Sequence, residues 1–112
     1  MPVSAGLRHA APVFAALGDI TRLQIVARLA GGEPLSITRL SEGTKLTRQA
    51  VTKHLLVLEG AGLARGSRQG RERIWELNRR QLEEARHSID IIARQWDSAL
   101  RRLKDSLEQE NS

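Results

Sequence analysis

The sequence has no cysteine, which removes disulfides, thiolate metal ligands and cysteine nucleophiles at once. Long apolar runs are also missing. Nothing approaches the roughly 18 to 20 consecutive apolar residues that a bilayer-spanning helix requires. The stretch MPVSAGLRHAAP at the start carries neither the basic nor the apolar region of a secretory signal, so the expectation is a cytoplasmic protein with no membrane partner. The three histidines are scattered, with no Ser-His-Asp spacing, Gly-rich phosphate loop or metal motif around them, and neither catalysis nor a cofactor is expected. No internal repeat or low-complexity linker divides the 112 residues. That length buries one core and not two, which predicts a single domain over 1–112.

What the chain does have is positive charge in one place. The net charge is +5. Residues 45–73 hold Lys45, Arg48, Lys53, Arg65, Arg68, Arg71 and Arg73 against only Glu59 and Glu72, whereas residues 79–112 are balanced at seven of each sign. The whole excess therefore sits in one middle segment. An even scatter would serve solubility; a concentrated block points to a polyanion.

Apolar spacing orders the rest. Leu7, Ala10, Phe14 and Leu17 share a helical stripe with Pro12 inside it, predicting a first helix that starts or kinks at the proline. Asp19 is placed to cap a second helix, ITRLQIVARLA, with Ile20, Leu23, Val26, Ala27 and Ala30 inward and Gly31 and Gly32 at its end. After Pro34, Ser36 caps a short third helix with Ile37 and Leu40 inward, closed by Gly43. Thr47 then caps a fourth, in which Val51, Leu55 and Leu58 recur on one side while Thr47, Arg48, Gln49, Thr52 and Lys53 crowd the other. Two short helices joined by a tight Gly-containing turn, over 36–60, form a helix-turn-helix pattern.

From Leu63 the period changes to that of a hairpin over 63–78. It has a polar turn around Gln69 and Gly70, and Trp75 and Leu77 share one face. A long charged helix over 79–110 follows, with Leu82, Ala85, Ile89, Ile92, Trp96, Leu100, Leu103 and Leu107 spaced every three or four residues. The predicted fold is mainly α with a small β-hairpin, in the order α-α-α-α-β-β-α: a winged helix-turn-helix.

A helix that enters the major groove needs one buried face to hold its angle and one face of short or planar polar groups to reach base edges. LTRQAVTKHL supplies both. Arg48 suits guanine, Gln49 adenine, and Thr47 and Thr52 suit a phosphate or a thymine methyl. Arg68, Arg71 and Arg73 crowd a thin hairpin and repel one another without a counter-charge, which phosphates would provide. His54 either donates to phosphate or packs at the edge of the core. The last helix, about 43 Å long over 80–108 at 1.5 Å per residue, overruns a domain of radius about 13 Å. Either it breaks or folds back, or Ile89, Ile92, Trp96, Leu100 and Leu103 form a seam with a second copy. A dimer would present two recognition helices to a twofold-symmetric duplex.

Three segments, ALGDITRLQIV, LTRQAVTKHLLVLEGAGL and RQGRERIWELN, together resemble the ArsR family of bacterial winged-helix repressors over about residues 14–78, in that family's order and spacing. The resemblance implies a homodimer that binds a twofold-symmetric operator in double-stranded DNA and represses its own or a neighbouring operon. It also implies DNA-reading positions at Thr47, Arg48, Gln49, Thr52, Lys53 and His54, and a place for Phe14 and Leu17 in the dimer interface.

Two metal-sensing patterns of the family are absent. Ser36 and Thr38 stand where one site has cysteines, and hydroxyls do not replace thiolates for soft metals. The last helix offers only His87 with Glu83, Glu84 and Asp90, short of a closed tetrahedral set. A regulator that does not respond to metal is expected. The other readings that a winged helix allows are a protein-interaction adaptor, which the basic face disfavours, and non-specific DNA binding.

Overall fold

The computed structural model describes residues 3–111. Its elements are α1 (Val3–Leu17), α2 (Ile20–Leu29), β1 (Leu35–Ser36), α3 (Ile37–Ser41), α4 (Arg48–Gly60), β2 (Ala64–Gln69), β3 (Glu72–Leu77) and α5 (Arg79–Glu110). Three of the helices begin at the capping side chains read from the sequence. Asp19 accepts from the Arg22 N–H, Ser36 from Arg39 and Thr47 from Ala50, so each satisfies a donor that has no partner within its own helix.

The helix exits use two devices. At the end of α4, Gly62 lies at φ +79°, and the N–H groups of Gly62 and Leu63 return to the carbonyls of Glu59 and Leu58, each at 2.9 Å. This paired closure needs a left-handed residue, which glycine supplies without strain. Elsewhere arginines bind the orphan carbonyls. Arg22 Nε donates to Ala16 O in the last turn of α1. Arg28 reaches Leu40 O and Arg39 O at the end of α3, and Arg79 reaches Ala30 O after α2. Each places a cation at the negative end of a helix dipole while tying that end to another element.

The sheet has three antiparallel strands in the order β1-β3-β2. The register pairs Gln69 with Glu72, leaving Gly70 and Arg71 as a two-residue turn, and Gly70 takes φ +64°, as a tight hairpin with glycine first requires. Strand β1 is absent from the sequence reading. Its two residues are too few to show a period, and Ser36 also serves as the cap of α3.

The core gathers where α4 meets the sheet. Leu55, Leu58, Leu63 and Trp75 are fully buried, with Val51, Leu40 and Leu29 beside them and Val13, Ile25 and Ala85 closing the cluster. Three expectations need correction. Helix α1 runs from Val3 through Pro12 without a break; the ring is exposed, and the buried line is Ala10, Val13 and Ala16, with Phe14 and Leu17 half-buried against the core. In α2 the inward residues are Ile25, Val26 and Leu29, while Ile20 is 68% and Leu23 45% exposed, and Ala27 and Ala30 also face out. This helix has two candidate apolar stripes, and packing against α1 and α4 selects the one that lets Arg22 reach Ala16. The sheet, finally, has a third strand.

Helix α5 neither breaks nor folds back. Its 32 residues extend about 48 Å at 1.5 Å per residue, and the molecule measures 72 × 32 × 21 Å. The radius of gyration is 19.4 Å, against about 13 Å for a compact chain of this length. Only its first turns are covered: Ala85 and Ser88 are buried and Leu82 packs on the core, while Ile89, Ile92, Trp96, Leu100, Leu103 and Leu107 are exposed. Among the described residues no single helix is long and apolar enough to cross a membrane.

The Arg22 backbone N–H, with the nearby Arg22 guanidinium, holds the Asp19 carboxyl below its ordinary value of 3.8. A carboxyl lowered in the folded state adds stability above its unfolded pKa and loses it as pH falls through the folded one. Asp19→Asn keeps a capping side chain and removes the titration. Denaturant unfolding from pH 6 downward should show the parent losing stability below about pH 4, with that component missing from the variant. Identical acid limbs would contradict the assignment.

Candidate nucleic-acid interface

Burial of Val51, Leu55 and Leu58 turns the opposite side of α4 outward. Arg48, Gln49, Thr52 and Lys53 share that side and, with Ile37 of α3, line one shallow depression. A second groove runs from the start of α3 to the wing. Ser36, Ile37 and Thr38 line it together with Arg48 of α4 and with Arg71, Glu72 and Arg73 of the wing. Arg48 therefore borders both depressions, at the junction of helix-turn-helix and wing.

The side chains differ in what they have free. Among the described residues Arg48, Gln49, Lys53, Arg68 and Arg71 make no hydrogen bond or ion pair through their side chains, and all five are exposed. Thr52 donates its hydroxyl to Arg48 O at 2.8 Å, which leaves only its lone pairs for a ligand. Thr47 has accepted the Ala50 N–H. No acidic residue occupies the first turn of α4, so the positive end of its dipole meets solvent uncompensated.

His54 is partly buried, with Nδ1 at 3.4 Å from Arg22 Nη1, so it packs between α4 and α2 and has one ring nitrogen already engaged. Arg73 is engaged twice. Its guanidinium lies over the Trp75 ring at 4.6 Å from the centroid and pairs with Glu59 of α4 at 3.4 Å. Sequence order concealed this, because Glu59 and Arg73 are fourteen positions apart and meet only once the hairpin folds back. Arg73 thus joins the wing to α4, and the cations free at the tip among the described residues are Arg68 and Arg71. Gly66, across the hairpin from Trp75, makes room for the stack: a Cβ there would fall 2.7 Å from Arg73 Nε and 3.1 Å from the Trp75 ring.

Two residues, Leu56 and Arg22, escaped the sequence reading, and Leu107 is on the predicted stripe of the last helix but not in its predicted seam. Leu56 is exposed on α4, at helical spacing from Thr52 and Lys53, and extends the outward face in apolar form. Leu107 continues the exposed stripe of α5 by one more turn. Arg22 lies between α1 and α4 with no local signal to announce it.

The profile of a helix-turn-helix domain family matches residues 17–66. The chain is 39% identical over 85 residues to the HTH-type transcriptional regulator Rv2034 of Mycobacterium tuberculosis, a match covering 76% of each chain. It is 32% identical to the solved ArsR-like transcriptional regulator from Rhodococcus sp. RHA1, with a TM-score of 0.75 over 88% of this chain and 92% of that one. The chain belongs to the ArsR family of winged helix-turn-helix transcriptional regulators. Like other members, it is a DNA-binding regulator of transcription. A more distant relative in structure, 23% identical with a TM-score of 0.62, is described as a homodimeric winged helix-turn-helix DNA-binding domain from Mycobacterium bovis. Ser36 caps α3 and, with Thr38, lines the groove at the start of that helix. Among the described residues no three His, Asp or Glu side chains gather closely enough to hold a metal ion.

Gly66→Ala should displace Arg73 from Trp75 and Glu59 and cost about 1 kcal/mol in chemical denaturation, the scale of an exposed cation–π contact. In an Arg73→Ala background the same change should cost clearly less. An undiminished cost there would contradict the role given to the stack.

Proposed function

We propose that the protein is a homodimeric repressor which reads a twofold-symmetric operator in its own or a neighbouring operon, without a metal inducer. The observation that carries this reading is the set of uncommitted donors on one side of the molecule. The side chains of Arg48, Gln49 and Lys53 on α4, and of Arg68 and Arg71 on the wing, have no hydrogen-bond or ion-pair partner among the described residues. Arg48 and Gln49, on the first turn of α4, have planar groups suited to bidentate contacts with guanine and adenine. Thr47, Thr52 and Lys53 take phosphate or a thymine methyl, and His54 has Nε2 left for a phosphate. Arg68 and Arg71 lie along the backbone and supply affinity and register rather than sequence choice. Arg73 acts behind them by holding the wing.

The dimer follows from α5. A stripe of Ile89, Ile92, Trp96, Leu100, Leu103 and Leu107 that remains exposed along a helix projecting beyond the core is a large apolar liability for a monomer. Flanking ion pairs such as Arg80–Glu84, Arg86–Glu83 and Lys104–Glu108 suit a solvated rim around an apolar seam. A second copy would cover the stripe, with Phe14 and Leu17 of α1 at its margin, and the Mycobacterium bovis relative is itself described as homodimeric. The pair would present two α4 helices about one DNA turn apart. The hydroxyls at Ser36 and Thr38 support the absence of a soft-metal site. We read the chain as a single cytoplasmic DNA-binding domain with no catalytic role.

Arg48→Ala should lose discrimination between operator and random duplex. Arg71→Ala should weaken both alike and reduce the salt slope by about one unit. Titration of both duplexes at several salt concentrations tests this, and parental behaviour in both variants would overturn the reading. Trp96→Ala should shift the protein toward monomer in sedimentation and weaken operator binding with it. An intact dimer in that variant would place the seam elsewhere.

A further inference from the structure

We infer that Arg22 is a positioning residue, one guanidinium that fixes the pose and ring tautomer of His54 on the recognition helix and ties both to the end of α1. The inference rests on the reading of α4 as the DNA-reading helix. Arg22 sits in the first turn of α2, where its own N–H is held by Asp19 at 3.0 Å. Its side chain does not turn to solvent. Nε donates to Ala16 O in the last turn of α1 at 2.6 Å, and Nη1 stands 3.4 Å from His54 Nδ1 in the middle of α4. Three helices thus converge on one planar group.

Two consequences follow from donor chemistry alone. A guanidinium has five donors and no acceptor, so the His54 nitrogen that faces it offers a lone pair. The neutral ring must then carry its proton on Nε2, leaving that atom as a fixed donor on the helix that carries Arg48 and Gln49. The second consequence is mechanical. The buried stripe of α4 sets its depth in the core, but apolar contacts are non-directional and tolerate small rotations about the helix axis. A directional contact on its flank does not. Helix α1 in turn packs along α5, where His9 meets Glu84 at 3.4 Å, so displacement of α1 along α5 moves Ala16 O and pulls the guanidinium with it. Arg22 thereby gives the α1–α5 layer a lever on the DNA-reading face.

Two-bond 1H–15N spectra of labelled protein should show His54 as the Nε2–H tautomer in the parent and as a mixture in Arg22→Met. Against a duplex selected with the parent, Arg22→Met and His54→Leu should each lose about tenfold in affinity, and the double variant should be no weaker than the poorer single one. Sedimentation should find the dimer unchanged. His54→Gln, which restores an acceptor, should recover most of the loss. Should Arg22→Met fail to fold, the His54→Leu and His54→Gln pair decides, since neither disturbs the bond to Ala16. An unchanged tautomer in Arg22→Met, losses that multiply in the double variant, or no rescue by His54→Gln would each overturn the inference. A parent that selects no duplex at all would overturn the reading of the site instead, with the tautomer result standing apart from it.

Discussion

A helix of thirteen residues cannot hold a fixed angle in a DNA groove by its own propensity, because isolated helices of that length are marginal in water. Helix α4 is held by what its other side is packed into. Val51, Leu55 and Leu58 are buried against Leu63 and Trp75, and burial of each such side chain contributes about 1.5–3 kcal/mol. That stripe decides which residues face outward, and the rest of the molecule is arranged around it. The cap at Thr47 fixes where α4 begins, the glycine closure after Ala61 turns the chain into the wing, and Trp75 brings the wing back beneath the helix. The polar face around Arg48 is the remainder after these demands are met.

Charge is distributed by the same logic. Most arginines near the core are committed to protein groups: Arg22, Arg28 and Arg79 bind helix-end carbonyls, Arg65 faces Glu76 at 3.8 Å, and Arg73 lies on Trp75. The exposed ion pairs add little stability on their own. What matters is which cations are left over. Among them, Arg48, Lys53 and Arg71 border the adjoining depressions of α4 and the wing, and this local surplus, more than the net charge of +5, suits that face to a polyanion. Helix α5 is neutral overall and leaves its apolar stripe to a different kind of contact.

The parts legible in the sequence were those governed by neighbours along the chain. Asp19, Ser36 and Thr47 announce their helices because capping is a three-residue interaction, and the α4 stripe and the hairpin alternation are likewise local periods. Where two local signals competed, tertiary packing chose. Ile20 and Leu23 make as good a stripe as Ile25, Val26 and Leu29, and only the positions of α1 and α4 select between them. Pro12 suggested a break, yet the helix runs through it, since a single missing N–H at an exposed position is tolerable when Ala10, Val13 and Ala16 are packed. Strand β1 was too short to carry a period. The commitments of Arg22 and Arg73 depend on partners 32 and 14 positions away, and no local reading distinguishes such arginines from free ones.

The central claim is that uncommitted donors on α4 and the wing, presented twice by a paired α5, match a duplex of particular sequence. Selection of binding sites from a random duplex pool tests it most directly. The account predicts enrichment of an inverted repeat whose half-site centres lie about 10 base pairs apart, or a multiple of that. Enrichment of no sequence at all, or of a lone half-site bound by a single chain, would contradict it.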